Sequence, residues 1–156
     1  AKEKILTPNL PDKVSEKISK IKIGNGGTDI SDGLCADLLD MCKSSGVGAT
    51  LEVTKIPVHK NLLLVAEKLN IPPWMFPLTI GGDFQFIFTC NKRNSTFAKR
   101  MGLSEIGFIN EGDEIVIKNK DKIYKIPLEG HEDSRNLSFR EEVDYLINLI
   151  KDNVND

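Results

Sequence analysis

From about Asp32 to Lys43 apolar side chains recur at helical spacing, with Leu34, Cys35, Leu38, Leu39, Met41 and Cys42 forming one broad stripe and Asp37, Asp40 and Lys43 facing elsewhere. A stripe this wide has to be covered by another layer, so the segment is predicted to be a core-facing helix around which the domain is built. Ser44-Ser45-Gly46 ends it. Ahead of it, Asn25-Gly26-Gly27 interrupts the chain and Thr28-Asp29-Ile30-Ser31 forms a brief extended piece.

Strands and helices alternate around this helix. Val14, Ile18 and Ile21 predict a short amphipathic helix over 13–21, and 61–69 reads as another, stopped by Asn70 and Pro72-Pro73. Leu51 and Val53 alternate with Thr50, Glu52 and Thr54, the pattern of a half-buried strand closed by Ile56-Pro57. The near-continuous apolar run from Phe84 to Thr89 predicts a central strand covered on both faces. A helix over 95–101 with Gly102 as its stop is followed by strands at 106–109, 114–118 and 122–126. The last two form a hairpin through Asn119-Lys120-Asp121, a turn without the favoured glycine. Ser138 and Glu141 form a capping box that opens a final helix. Because the last strands come as a run, the expected class is α+β, a mixed β-sheet covered by helices. The chain divides into an extended lead-in over 1–12 at a domain boundary, an α+β domain over 13–137 and an additional C-terminal helix and tail over 138–156.

With 40% hydrophobic and 28% charged residues in 156, the chain has the profile of one globular domain. Its formal net charge of −2 provides no basic excess for phosphate backbones, so no nucleic-acid partner is expected. Its apolar runs fall far short of the roughly 20 residues a membrane helix needs, and no h-region follows the N-terminus, which points to a cytoplasmic address. Cys35, Cys42 and Cys90 lack the spacing of a zinc or disulfide framework and read as reduced thiols, with Cys35 and Cys42 on one helix face in the core.

Chemistry concentrates at Thr28-Asp29-Ile30-Ser31-Asp32-Gly33. Alternation puts Asp29 and Ser31 on one side, and the turn at Asp32 brings its carboxylate round to join them. Magnesium takes one or two such carboxylates together with nucleotide phosphates, and the helix N-terminus favours phosphate through its N–H groups and dipole. The structural alternative is that Ser31 or Asp32 only caps the helix. No Gly-Lys-Ser/Thr follows, so the segment is not a P-loop. Trp74 reads either as a ring-stacking residue or as a plug at the core edge, and His59 has no Cys or His partner for zinc.

Asp29-Ile30-Ser31-Asp32-Gly33-Leu34 with Asp37-Leu38, Ser45-Gly46-Val47-Gly48-Ala49 and Ile56-Pro57 resembles the C-terminal half of thiamine-monophosphate kinases, of the aminoimidazole ribonucleotide synthetase superfamily, over Thr28 to about Thr89. The resemblance implies the fold of that superfamily's C-terminal domain, with Asp29 and Asp32 as magnesium ligands and Ser31 touching ATP as co-substrate. It also implies a separate N-terminal domain of the same enzyme and a small-molecule substrate; the sequence leaves the oligomeric state open, a homodimer being one assembly it allows. The expected reaction is ATP- and magnesium-dependent phosphorylation of thiamine monophosphate to thiamine diphosphate, with the isolated chain inactive. Gly81-Gly82-Asp83-Phe84-Gln85-Phe86 has one acidic residue, Asp83, where the family's Gly-Gly-Glu-Asp-Tyr-Glu has three; Gly82 and Asp83 take the substrate contact in this reading, with His131 of Gly130-His131-Glu132-Asp133 beside the thiamine ring. Two alternatives remain: a relative using ATP on another small molecule, and a non-catalytic binding module that keeps the fold.

Overall fold

Among residues 12–82 and 85–127, which the computed structural model describes, the chain runs α1 (Asp12–Ile21), β1 (Gly24–Ile30), α2 (Leu34–Ser45), β2 (Gly48–Glu52), a 3-10 turn at Val53–Lys55, α3 (Lys60–Leu69) and α4 (Met75–Thr79). It continues through β3 (Gln85–Cys90), a second 3-10 turn at Lys92–Asn94, α5 (Ser95–Arg100), β4 (Gly107–Asn110), β5 (Glu114–Asn119) and β6 (Lys122–Pro127). Nearly all of the lead-in, Asp83, Phe84, His131 and the C-terminal helix expected from Ser138 lie outside the described residues.

Four strands form the expected mixed sheet in the order β4-β2-β5-β6. Strand β2 runs antiparallel to β4 and parallel to β5, and β5 and β6 make the hairpin. Without a glycine in that turn, Lys120 itself takes the left-handed conformation at φ 54°. The core lies between this sheet and α2: Leu34, Cys35, Leu38, Leu39 and Cys42 pack with Ala49, Leu51, Ile115, Ile117 and Tyr124. Ile115 and Ile117 are wholly buried, each stabilising the fold by about 1.5–3 kcal/mol relative to exposure.

Two burial expectations are reversed. The alternating stretch expected to be half-buried is β2, which is paired on both sides and buried from Gly48 to Leu51. Its one polar member there, Thr50, is accommodated because the Asn110 side-chain amide donates to its hydroxyl at 3.0 Å. Conversely, the apolar run expected to be a doubly covered central strand is β3, which among the described residues pairs only with β1, in a two-stranded sheet, and is half-buried. Apolar composition tracks contact with anything that covers a strand, so it does not by itself say how many strands flank it.

Asn25, Gly26 and Gly27 are not a break. They lie within β1, where Gly26 and Gly27 pair with Thr89 and Phe88 despite their poor strand propensity and Asn25 falls at a shift of register between Gly24 and Gly26. Helix α2 starts at Leu34, two residues later than predicted, and the short helix α4 follows Pro72-Pro73. Among the described residues no helix is long and apolar enough to cross a membrane.

Candidate functional site

Strand β1 delivers the chain to the site. Its register against β3 sets Asp29 opposite Phe86 and Ile30 opposite Gln85. Ile30 packs against the core, and strand alternation turns Asp29 the other way, where it is exposed. Ser31 and Asp32, also exposed, then bridge to Gly33, the N-cap of α2. The cap reading is corrected here: Gly33 occupies that position at φ 109°, and no side chain caps the helix. An Asp or Ser at the N-cap would need φ below zero. Gly33 is also buried against α4, an added Cβ falling 2.9 Å from the Leu78 carbonyl oxygen, so this helix end is covered rather than open.

The loop is held instead by Asp37, from the first turn of α2. Its Oδ2 accepts from the backbone N–H of Ser31 at 3.0 Å and of Asp32 at 3.1 Å, and its Oδ1 lies 3.5 Å from the Ser31 hydroxyl. From the other side the Gly82 N–H donates to the Ser31 carbonyl at 2.9 Å. Gly81 is pressed so closely on the loop that a Cβ there would meet the Ser31 carbonyl oxygen at 1.8 Å. The two sequence landmarks, fifty residues apart, are thus one structural unit.

Carboxylates dominate the charge here. Burial pushes the Asp37 carboxyl above its ordinary 3.8; the N–H of Asp32 opposes this, the negative charge of Asp32 adds to it, the N–H of Ser31 opposes it and the charge of Asp29 adds a little more. No Lys or Arg among the described residues pairs with Asp29, Asp32 or Asp37. Nor do the described residues hold a group of three or more His, Cys, Asp or Glu arranged for a metal. What the loop offers is two exposed carboxylates, Asp29 and Asp32, which suits an ion that draws its remaining ligands from phosphate and water.

The other candidates fall elsewhere. Trp74 is half-buried and stacks on Tyr124, centroids 6.2 Å apart, so it plugs the core edge. Cys35 and Cys42 are in the core as expected. His59 is the N-cap of α3, its Nδ1 accepting from the Asn61 N–H at 3.2 Å. Asp37 was not singled out for the site because a helix-surface Asp reads as solvated; its place one helical turn beyond Gly33 was the available signal.

No protein-family model matches the chain. Its structure is similar to a hydrogenase maturation protein, HypE (TM-score 0.63, 16% identity, 80% of this chain and 44% of that one), and to Thermotoga maritima PurL (TM-score 0.55, 11% identity, 72% and 18%), a likeness that shows the fold alone. These are PurM-like folds, and the chain is an α+β domain of that class. Closer in sequence are thiamine-monophosphate kinases from Pyrococcus horikoshii, 31% identical over 117 residues (75% of this chain, 36% of that protein), and from Aquifex aeolicus, 32% identical over 99 residues (64% and 32%). A solved structure, AaThiL complexed with AMPPCP and TMP, superposes with a TM-score of 0.65 at 28% identity, covering 79% of this chain and 40% of that one. Within the class, the chain is a homologue of the C-terminal part of the thiamine-monophosphate kinases. It spans about a third of the length of the curated relatives it matches.

Proposed function

We propose that the complete protein carrying this chain transfers the γ-phosphoryl group of ATP to the phosphate of thiamine monophosphate, giving thiamine diphosphate and ADP. The observation that carries the reading is the union of the Asp29–Asp32 loop with Gly81-Gly82, in a chain 31% identical to a thiamine-monophosphate kinase. Asp29 and Asp32 hold magnesium, and Ser31 contacts ATP. Gly82, Asp83 and His131 serve the acceptor, the last two outside the described residues.

Magnesium, when bound, neutralises charge on the phosphates. The acceptor's phosphate oxygen bonds to the γ-phosphorus as the bond to the β-phosphate oxygen breaks, so the protein's task is alignment and charge balance, and no side-chain nucleophile is required. Two exposed carboxylates, beside a backbone pinned at Ser31 and Asp32, suit that demand. The N-terminal part of the same enzyme supplies the remaining nucleotide contacts, and the cytoplasmic address and homodimeric assembly belong to the same proposal. The test is ADP release by the complete protein with ATP, magnesium and thiamine monophosphate. ADP formation that depends on the acceptor supports the reading; ADP formation indifferent to the acceptor overturns it.

A further inference from the structure

We infer that Asp37 is a positioning residue for the Asp29, Ser31 and Asp32 site, an inference that rests on the phosphoryl-transfer reading above. The Ser31 peptide is gripped from both sides: its N–H is taken by Asp37 Oδ2 at 3.0 Å and its carbonyl by the Gly82 N–H at 2.9 Å. The same Asp37 oxygen takes the Asp32 N–H at 3.1 Å. Two consecutive N–H groups are thereby turned toward α2, while the side chains of Ser31 and Asp32 stay exposed.

Asp37 itself is fixed. Its N–H bonds the Gly33 carbonyl at 3.0 Å, and its neighbours Leu38 and Leu39 are buried, so α2 cannot roll without opening the core. An ordinary N-cap side chain reaches forward to the helix; here an acceptor inside the helix reaches back to the loop. Such a grip serves a site whose carboxylates must be presented in one geometry, since residues that orient metal ligands change metal affinity or activity by about 10–100-fold when removed. A direct ligand needs the charge of Asp37, whereas a positioning residue needs an acceptor oxygen.

The test uses the complete protein with Asp37→Ala, Asp37→Asn, Asp37→Leu and, on an exposed position of the same helix, Asp40→Ala. Amide hydrogen exchange of the peptide covering 28–37 and the magnesium dependence of turnover are measured together. Asp37→Ala is expected to speed exchange at Ser31 and Asp32 and to raise the half-saturating magnesium concentration by about 10-fold or more. Asp37→Asn, which keeps an acceptor, is expected to retain most of both properties, and Asp40→Ala to change neither. Asp37→Leu, of similar shape without acceptors, carries the same expectation as Ala should Ala fail to fold. Unchanged exchange or unchanged magnesium dependence in the variants lacking an acceptor overturns the proposal. So does an Asn variant with normal exchange and the full defect, which makes Asp37 a ligand. If instead Asp29→Asn and Asp32→Asn leave the magnesium dependence untouched, the metal-site reading itself has failed and takes this proposal with it, a result seen in different variants.

Discussion

Replacing Gly81 by alanine should be among the most damaging single-methyl changes to this domain. The new Cβ would lie 1.8 Å from the Ser31 carbonyl oxygen, 2.6 Å from its carbon and 2.8 Å from the Asp32 Cα, all backbone atoms with no flexible side chain to give way. The two segments must part by more than an ångström, which breaks the 2.9 Å bond from the Gly82 N–H to Ser31. Losing that bond costs about 0.5–1.5 kcal/mol and the forced backbone shift about 1–3, so a loss of roughly 2–4 kcal/mol is expected. Gly82→Ala is the internal comparison. At φ 80° it has nothing within 4 Å of the added methyl, leaving only left-handed strain of about 1–2 kcal/mol. Urea denaturation of both variants, with the slope checked for constancy, gives the difference directly. If Gly81→Ala is no more destabilised than Gly82→Ala, the tight seat of this segment on the Ser31 loop is wrong.

Asp32→Asn in the complete protein should leave the melting temperature unaltered, because Asp32 does not cap α2, and should cut turnover by about 100-fold or more through the lost charge; retained turnover removes Asp32 from the site. Burial pushes the Cys35 thiol up to about 12 from an ordinary 9.0, so the folded state holds that proton to higher pH than the unfolded chain does. Its contribution is complete below pH 9.0 and is lost as pH climbs toward 12; stability measured by urea titration should fall across that window, and less steeply in Cys35→Ala. The 156-residue chain alone should not turn over ATP with thiamine monophosphate, since it covers about a third of the relatives it matches; phosphoryl transfer by the pure chain contradicts this.

The α2 stripe, the β5–β6 hairpin and the buried cysteines were legible because each rests on local periodicity or composition. The site was legible only as residue types. That Asp29 and Ser31 stand at the end of a strand follows from alternation, but the strand's glycine-rich half forms only because β3 lies beside it, and cross-strand partners carry no local mark. The same limit explains the exchange of roles between β2 and β3. Thr50 looks like a solvent-facing residue until Asn110, sixty positions on, supplies its bond. The part Asp37 plays in holding the loop was not legible for a related reason: its partners are backbone N–H groups, which every residue possesses.

The parallel pairing of β2 with β5 has a kinetic consequence. Thr50 faces Val116, more than sixty residues away, and Gly27 meets Phe88 across a similar separation, whereas the β5–β6 hairpin closes over two residues. Bringing such distant segments together costs about 4 kcal/mol in chain entropy before any contact repays it. The hairpin, carrying the wholly buried Ile115 and Ile117, is therefore the natural early structure, with β2 and α2 condensing onto it afterwards. The loop bearing Asp29, Ser31 and Asp32 continues from β1, whose pairing with β3 is one of these long-range contacts, so its assembly is expected after that of the hairpin.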